Sequence, residues 1–172
     1  YSPRAQAEDA LPDDVYEDVL YVAHATCTEA LDLADLIEGE SGGDRECVRY
    51  YSERLGKETD CRSDCTRDEV WDNRRDVGLW QLRDAPSWSW PRHVRGWLPV
   101  MEYCLLNRHC SRELAIIAIN VYKLRASREE WPCSAPRVES LAWLAWWNGC
   151  GVYRQMLTTY KRRHTIDRGV CH

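Results

Sequence analysis

The chain has 172 residues, a length typical of one domain that can bury a core of its own. Its apolar content of 44% argues against a disordered chain, and its formal charge of −5 argues against a general nucleic-acid-binding surface. Even the apolar run at residues 141–147 falls far short of the about 20 residues that span a membrane. We therefore expect no nucleic-acid partner and no stable membrane insertion.

The first part of the chain predicts two helices. Residues 1–11 show no periodicity, and we expect an extended N-terminal arm there. Pro12 and the acidic residues after it favour a helix start, and apolar residues at helical spacing continue to about Thr26. Thr28 can cap a second helix, whose apolar face ends near Glu40, just before two consecutive glycines.

The stretch from about residue 43 to 70 is polar and rich in turn-forming residues, and we interpret it as an insertion. Within it, residues 47–55 favour a short helix, and Asp68 can cap one more helical turn. Residues 86–91 include two prolines and predict a loop.

The second half predicts four further helices, at residues 98–106, 112–125, 134–147 and 152–162. Strand signals are scarce, because no run of alternating polar and apolar residues extends far. The sequence therefore predicts a mainly α fold with at most a small irregular β-hairpin, in which residues 12–172 form a single domain.

Nine cysteines are spread through the chain, which is typical of exported proteins. Cys61 and Cys65 could supply two zinc ligands, but no second closely spaced pair follows at ligand spacing. We expect up to four disulfides, one remaining thiol and no metal or other cofactor. A secreted or periplasmic location is the corresponding prediction.

Glu40 lies where an apolar helical pattern ends, and a glycine-led aromatic turn follows downstream at residues 78–82. A carboxyl group at a helix end, beside a groove with aromatic walls, suits the cleavage of sugars. Such a group must be partly desolvated to stay protonated and donate to a glycosidic oxygen. Glu38, two positions earlier, would face another side of the helix.

Three segments resemble motifs of soluble lytic transglycosylases and goose-type lysozymes, in the same order, across residues 36–152. Ile37-Glu38-Gly39-Glu40-Ser41 is similar to their Ile-x-x-Glu-Ser motif. Gly78-Leu79-Trp80-Gln81-Leu82 resembles Gly-Leu-Met-Gln-Ile/Val, and Ala145-Trp146-Trp147-Asn148-Gly149 resembles part of Ala-Ala-Tyr-Asn-Ala-Gly. This chain has tryptophan in place of the methionine and of the tyrosine, and its segment between Glu40 and Gln81 is longer than is typical of the family.

The resemblance implies a lysozyme-like fold with a disulfide-stabilised insertion, acting on the β-1,4 bond between N-acetylmuramic acid and N-acetylglucosamine of peptidoglycan. Glu40 would be the general acid. The residues that would bind or support the glycan strand are Ser41, Gly78, Leu79, Trp80, Gln81, Trp147 and Asn148. Gln81 could face the groove or tie two loops together, and Asn148 could contact substrate or cap a helix end. We expect a monomer.

Whether a second carboxylate takes part is left open by the sequence. Asp72 stands six positions before Gly78, where goose-type lysozymes carry an acidic residue, and Asp76 is a rival. Asp84 is displaced by one position from a second such site. Lytic transglycosylases need no second carboxylate, because the sugar itself completes the reaction. We favour this type, with a hydrolase using Asp72 or Asp76 as the alternative.

The loop between Pro86 and Pro99 carries Trp88, Trp90 and Trp97, which are candidates to stack on sugar rings. These rings also support a reading from another class, a secreted glycan-binding module without catalysis. Such a module would tolerate loss of Glu40 and depend on its tryptophans. An enzyme without Glu40 would bind but not turn over.

Overall fold

A computed structural model of the chain describes residues 11–52, 57–58, 61, 75–83 and 101–163. Within them lie six helices and four short strands, so that the predicted mainly α class is confirmed. The chain divides into two compact units. The first unit comprises Tyr1–Glu38 with Ile116–His172, and the second comprises Gly39–Ala115. The predicted single domain stays a prediction.

Two helices open the described chain, as the sequence predicts. Helix α1 (Asp13–Thr26) begins after Pro12, with two aspartates in its first turn to complement the helix dipole. It ends at Cys27, whose left-handed backbone has a φ of 52°. Helix α2 (Ala30–Ser41) follows and ends at two glycines with positive φ. Both helices bury a face of aliphatic side chains: Val15, Val19 and Val22 on α1, and Leu33, Leu36 and Ile37 on α2.

Two helices after residue 100 also match their predictions. Helix α3 (Met101–Leu106) fits the described part of the predicted 98–106 helix, and α4 (Arg108–Arg128) extends the predicted 112–125 helix at both ends. In the first unit, Lys123 of α4 donates from Nζ to Thr26 O at 2.5 Å and to Cys27 O at 3.2 Å. A cation thus caps the last carbonyls of α1. Burial lowers the pKa of Lys123.

The predicted helix over residues 134–147 is wrong for most of its length. Only α5 (Leu144–Trp147) is helical there, and α6 (Gly149–Arg163) follows and covers the predicted 152–162 helix. Residues 139–143 instead form successive turns, with hydrogen bonds such as Leu141 N to Val138 O. The buried hydroxyl of Tyr153 accepts from Val138 N at 2.9 Å and donates to Pro136 O at 2.5 Å. These side-chain contacts from a distant helix fix a non-helical path that local propensity does not reveal.

The predicted helix over residues 47–55 is also wrong, because residues 48–52 form strand β1 (Val48–Ser52). The other strands are β2 (Lys57–Glu58), β3 (Arg75–Val77) and β4 (Leu82–Arg83). They form an antiparallel sheet in the order β2-β1-β3-β4, which is more than the small hairpin expected. These strands are too short to show a clear alternation in sequence. Burial of Tyr50 on β1 and Val77 on β3 stabilises their pairing.

Each of the two units contains disulfides of its own. Cys47–Cys61 and Cys104–Cys110 lie in the second unit, and Cys133–Cys150 lies in the first. Because Cys61 is bonded to Cys47, it cannot act as the zinc ligand considered from the sequence. Cys27 is disulfide-bonded as well, and its partner lies outside the described residues. In the part of the chain that the structure describes, no helix is long and apolar enough to cross a membrane.

The disulfides give a first testable prediction. Three bridges and the bonded Cys27 with its partner account for eight of the nine cysteines, so one thiol should remain. Thiol labelling of the unfolded, unreduced protein should count one, and peptide mapping should recover the Cys47–Cys61, Cys104–Cys110 and Cys133–Cys150 pairs. The Cys47–Cys61 bridge closes a loop of sequence separation 14, which stabilises a fold by about 3 kcal/mol. A count of three or more thiols would contradict the pairing.

Candidate functional site

Glu40 lies in the last turn of α2 and belongs, with the other residues of this site, to the second unit. The helix ends directly after it because Gly42 and Gly43 take φ values of 63° and 81°, a region that side-chain-bearing residues rarely enter. Glu40 is half-buried at this end. The sequence motif therefore places a partly desolvated carboxyl at a helix terminus.

Ser41 fixes the end of α2 to the loop between β3 and β4. Its hydroxyl donates to Leu79 O at 2.8 Å and accepts from Gly43 N at 3.3 Å. The side chain is 4% exposed, so these bonds form away from water and hold the helix end firmly. Glu40, the preceding residue, is thereby set in a defined position relative to the 78–81 loop.

Gly78 begins that loop in a conformation that only glycine suits. Its φ is 83°, its N–H donates to Cys47 O at 2.7 Å, and an added Cβ would stand 2.2 Å from Leu105 O. Leu105 belongs to α3, so the loop approaches that helix backbone to backbone. A side chain of any size would have to displace main-chain atoms.

Gln81 ties the loop to the residue before β1. Its Nε2 donates to Cys47 O at 3.0 Å and to Gly78 O at 2.9 Å, and its backbone is left-handed with a φ of 48°. Both partners are carbonyls, which settles the orientation of the amide. The amide nitrogen of Gln81 therefore ties the loop to the residue before β1, which is one of the two roles expected from the sequence. Among the described residues, the buried Oε1 has no hydrogen-bond partner.

Leu79 and Trp80 fill the interior beneath the loop, with 1% of each residue exposed. The Trp80 indole nitrogen is buried, and no group in the described part of the chain forms a hydrogen bond with it. Their contribution in this structure is to pack the loop and shape it. A role in binding glycan would act through that shape.

Arg49 and Asp76 supply the charges that act on Glu40. They are directly opposite each other in the β1–β3 pairing. Burial raises the pKa of Glu40, the positive charge of Arg49 lowers it in part, and the negative charge of Asp76 raises it further. The net pKa lies above the usual value for glutamate, so Glu40 keeps its proton to higher pH than an exposed glutamate would.

Arg49 is the residue that sequence reasoning missed. It lies in the stretch 47–55 that favoured a helix, where it has no special relation to Glu40. The correct β1–β3 pairing places it opposite Asp76, and only that pairing reveals the connection. No local signal could have found it.

The other candidate residues belong either to the first unit or to the part of the chain outside the described residues. Trp147 and Asn148 belong to the first unit. The half-buried Trp147 ring packs 5.6 Å from the Tyr122 ring and 5.5 Å from the Trp143 ring, measured between centroids. Asn148 ends α5, with its N–H donating to Leu144 O at 3.0 Å. The candidates outside the described residues are Asp72, Asp84, Trp88, Trp90 and Trp97.

The site offers acid chemistry based on a single carboxyl with two charged neighbours. Among the residues that the structure describes, no group of three or more His, Cys, Asp or Glu side chains could hold a metal ion. What the described side chains can supply is a proton at Glu40, a positive charge at Arg49 and a second carboxylate at Asp76.

Comparison with known proteins finds no match: no protein-family model, curated protein or solved structure matches this chain. The three sequence motifs and the geometry of the second unit therefore carry the functional argument.

Glu40→Gln should make the protein more stable at neutral pH. Because the folded-state pKa is raised, the wild type is at full stability below the unfolded pKa of about 4.3 and loses stability as pH rises through the folded pKa. Glutamine has no proton to lose, so the melting temperature of the variant should exceed that of the wild type at pH 7 and match it near pH 3.5. Glu38→Gln, at an exposed position of the same helix, is the control and should change stability by less than about 0.5 kcal/mol. A variant less stable than wild type at pH 7 would contradict the burial of Glu40.

Gly78→Ala should destabilise the protein by more than about 3 kcal/mol, since a left-handed alanine costs about 1–2 kcal/mol before the clash with Leu105 O is added. Two other glycines separate these effects. Gly42 also has a positive φ but has open space around it, so Gly42→Ala should cost only the about 1–2 kcal/mol of a left-handed alanine. Gly39→Ala, inside α2 with open space, should stabilise by about 0.5–1 kcal/mol. Urea unfolding measures all three, and equal losses at positions 42 and 78 would contradict the close approach.

Proposed function

We propose that this chain cleaves the β-1,4 bond between N-acetylmuramic acid and N-acetylglucosamine in peptidoglycan, as a lytic transglycosylase with Glu40 as acid and then as base. The observation that carries the proposal is a half-buried Glu40 with a raised pKa at a helix end, pinned by Ser41 to the 78–81 loop. The resemblance in three motifs supports the same reading. A lysozyme-like fold is part of this proposal.

Proton donation would open the reaction. The Glu40 carboxyl gives its proton to the glycosidic oxygen, the bond between that oxygen and the anomeric carbon breaks, and an oxocarbenium-like centre develops on the muramic acid ring. Desolvation keeps the proton in place until the glycan is bound, which the raised pKa of Glu40 supports. The leaving sugar departs with a free hydroxyl.

In the second step, Glu40 would act as a base. The carboxylate of Glu40 accepts the proton of the muramic acid 6-hydroxyl while that oxygen bonds to the anomeric carbon. The product is a 1,6-anhydro sugar, and Glu40 is protonated again. No water is consumed, so one carboxyl suffices.

A hydrolase is the second candidate, and one observation favours it. The charge of Asp76 acts on Glu40, so a second carboxylate is close enough to influence the acid. In a hydrolase this group, or Asp72, would orient a water molecule toward the anomeric carbon. The glycan strand would be the partner in either case, and the disulfides suit an exported location.

Glu40→Gln tests the proposal, because glutamine keeps the shape of the side chain but has no proton to give. Turnover of purified peptidoglycan should fall by about 10²–10⁴-fold while the fold persists. Mass spectrometry of wild-type products should find 1,6-anhydromuropeptides, which are one water lighter than hydrolysed products and have no reducing end.

The outcomes separate the alternatives. Reducing-end products, together with loss of activity in Asp76→Asn or Asp72→Asn, would establish the hydrolase instead. Wild-type protein that binds glycan strands without cleaving them would establish the binding module. In that case Trp90→Ala should weaken binding, and Glu40→Gln should not.

A further inference from the structure

Arg49 and Asp76 stand on one face of the sheet, at directly opposed positions of β1 and β3. Directly opposed residues of an antiparallel pair have Cβ atoms about 4.5–5.5 Å apart, and their side chains project to the same side. Tyr50, the next residue along β1, projects to the other side. The sheet therefore presents one cation and one anion together.

The end of α2 is fixed against this part of the second unit. The Ser41 hydroxyl forms a hydrogen bond with Leu79 O in the loop that leaves β3. In the same loop, Gly78 N and Gln81 Nε2 form hydrogen bonds with Cys47 O. Cys47 lies two residues before Arg49. These bonds bring Glu40 within electrostatic range of both charges. Arg49 acts on it from β1 and Asp76 from β3, while the 78–81 loop contributes no ionisable side chain. On its own helix, Glu38 is exposed.

The two charges have opposite effects on Glu40. Asp76 favours the protonated carboxyl, which an acid needs before the bond breaks. Arg49 favours the carboxylate, which forms as the proton leaves and which a base needs in the second step. Burial without Arg49 would raise the pKa of Glu40 further, because the charge of Arg49 lowers it in part.

We propose that Arg49 is a positioning residue of the acid–base cycle: held opposite Asp76 by the β1–β3 register, its guanidinium stabilises the Glu40 carboxylate each time the proton leaves. This inference rests on the proposed function for its catalytic meaning, although the electrostatic relation can be measured without substrate. Asp76 has the opposite effect on Glu40, because its negative charge raises the pKa of that carboxyl.

Carbon-13 NMR titration of the glutamate side-chain carboxyls tests the relation directly, with the Glu40 signal assigned by its loss in Glu40→Gln. Arg49→Met should raise the pKa of Glu40, and Asp76→Asn should lower it. Arg49→Lys, which keeps the charge, should leave it near the wild-type position. Arg45→Met is the matched control, a half-buried arginine four residues earlier in the same unit, and it should leave the Glu40 titration unchanged.

The pH profile of peptidoglycan cleavage is the second readout. Activity that needs protonated Glu40 falls on the alkaline side, so this limb should move to higher pH in Arg49→Met and to lower pH in Asp76→Asn. A merely structural Arg49 would lower the rate at every pH without moving the limb. Arg49→Lys should restore the position of the limb.

The two proposals fail in different ways. If Arg49→Met leaves the Glu40 titration and the alkaline limb where they are, the role of Arg49 is overturned while cleavage stands. If wild type cleaves no glycan but the titration shifts as expected, the electrostatic relation stands and the proposed function fails. Should Arg49→Met unfold, Arg49→Gln takes its place, and an unshifted Glu40 titration in that variant would overturn the inference.

Discussion

The second unit depends on how closely Gly78 approaches the backbone around it. Its N–H donates to Cys47 O at 2.7 Å, and Leu105 O occupies the space where a Cβ would stand. One residue thus joins the start of β1, the end of β3 and helix α3. The loop that leaves Gly78 presents Leu79 O to the hydroxyl of Ser41. The position of Glu40 is therefore decided by a residue that has no side chain.

A desolvated acid destabilises the folded state, and other interactions of the second unit have to offset that loss. Burial disfavours the charged form of Glu40, so the fold is less stable at neutral pH than it would be with a neutral side chain there. The Cys47–Cys61 disulfide, the two bonds of the Gln81 amide and the packing of Trp80 all stabilise the elements beside it. Destabilising groups that persist in such surroundings are characteristic of functional sites.

The helices could be predicted because their signals are local. α1 and α2 combine an apolar stripe with start and stop residues, and both lie where the sequence places them. The strands could not, because β2 and β4 are two residues long and β1 has only five. Their formation depends on partners far along the chain. The break before α5 has the same origin, since the Tyr153 hydroxyl that holds Pro136 and Val138 comes from a later helix.

The candidate site shows the same division between local and non-local information. Sequence motifs identify Glu40, Ser41 and Gly78, but the charges on Glu40 come from strand pairing. A slip of β1 by one residue would turn Arg49 to the opposite face of the sheet and leave Glu40 with Asp76 alone. Two bonds oppose such a slip at the start of β1, because Cys47 O receives both Gly78 N and Gln81 Nε2. The register of a short sheet thereby modifies the pKa of Glu40, which burial raises most, and the Gly-Leu-Trp-Gln loop supports that register through the backbone of Cys47.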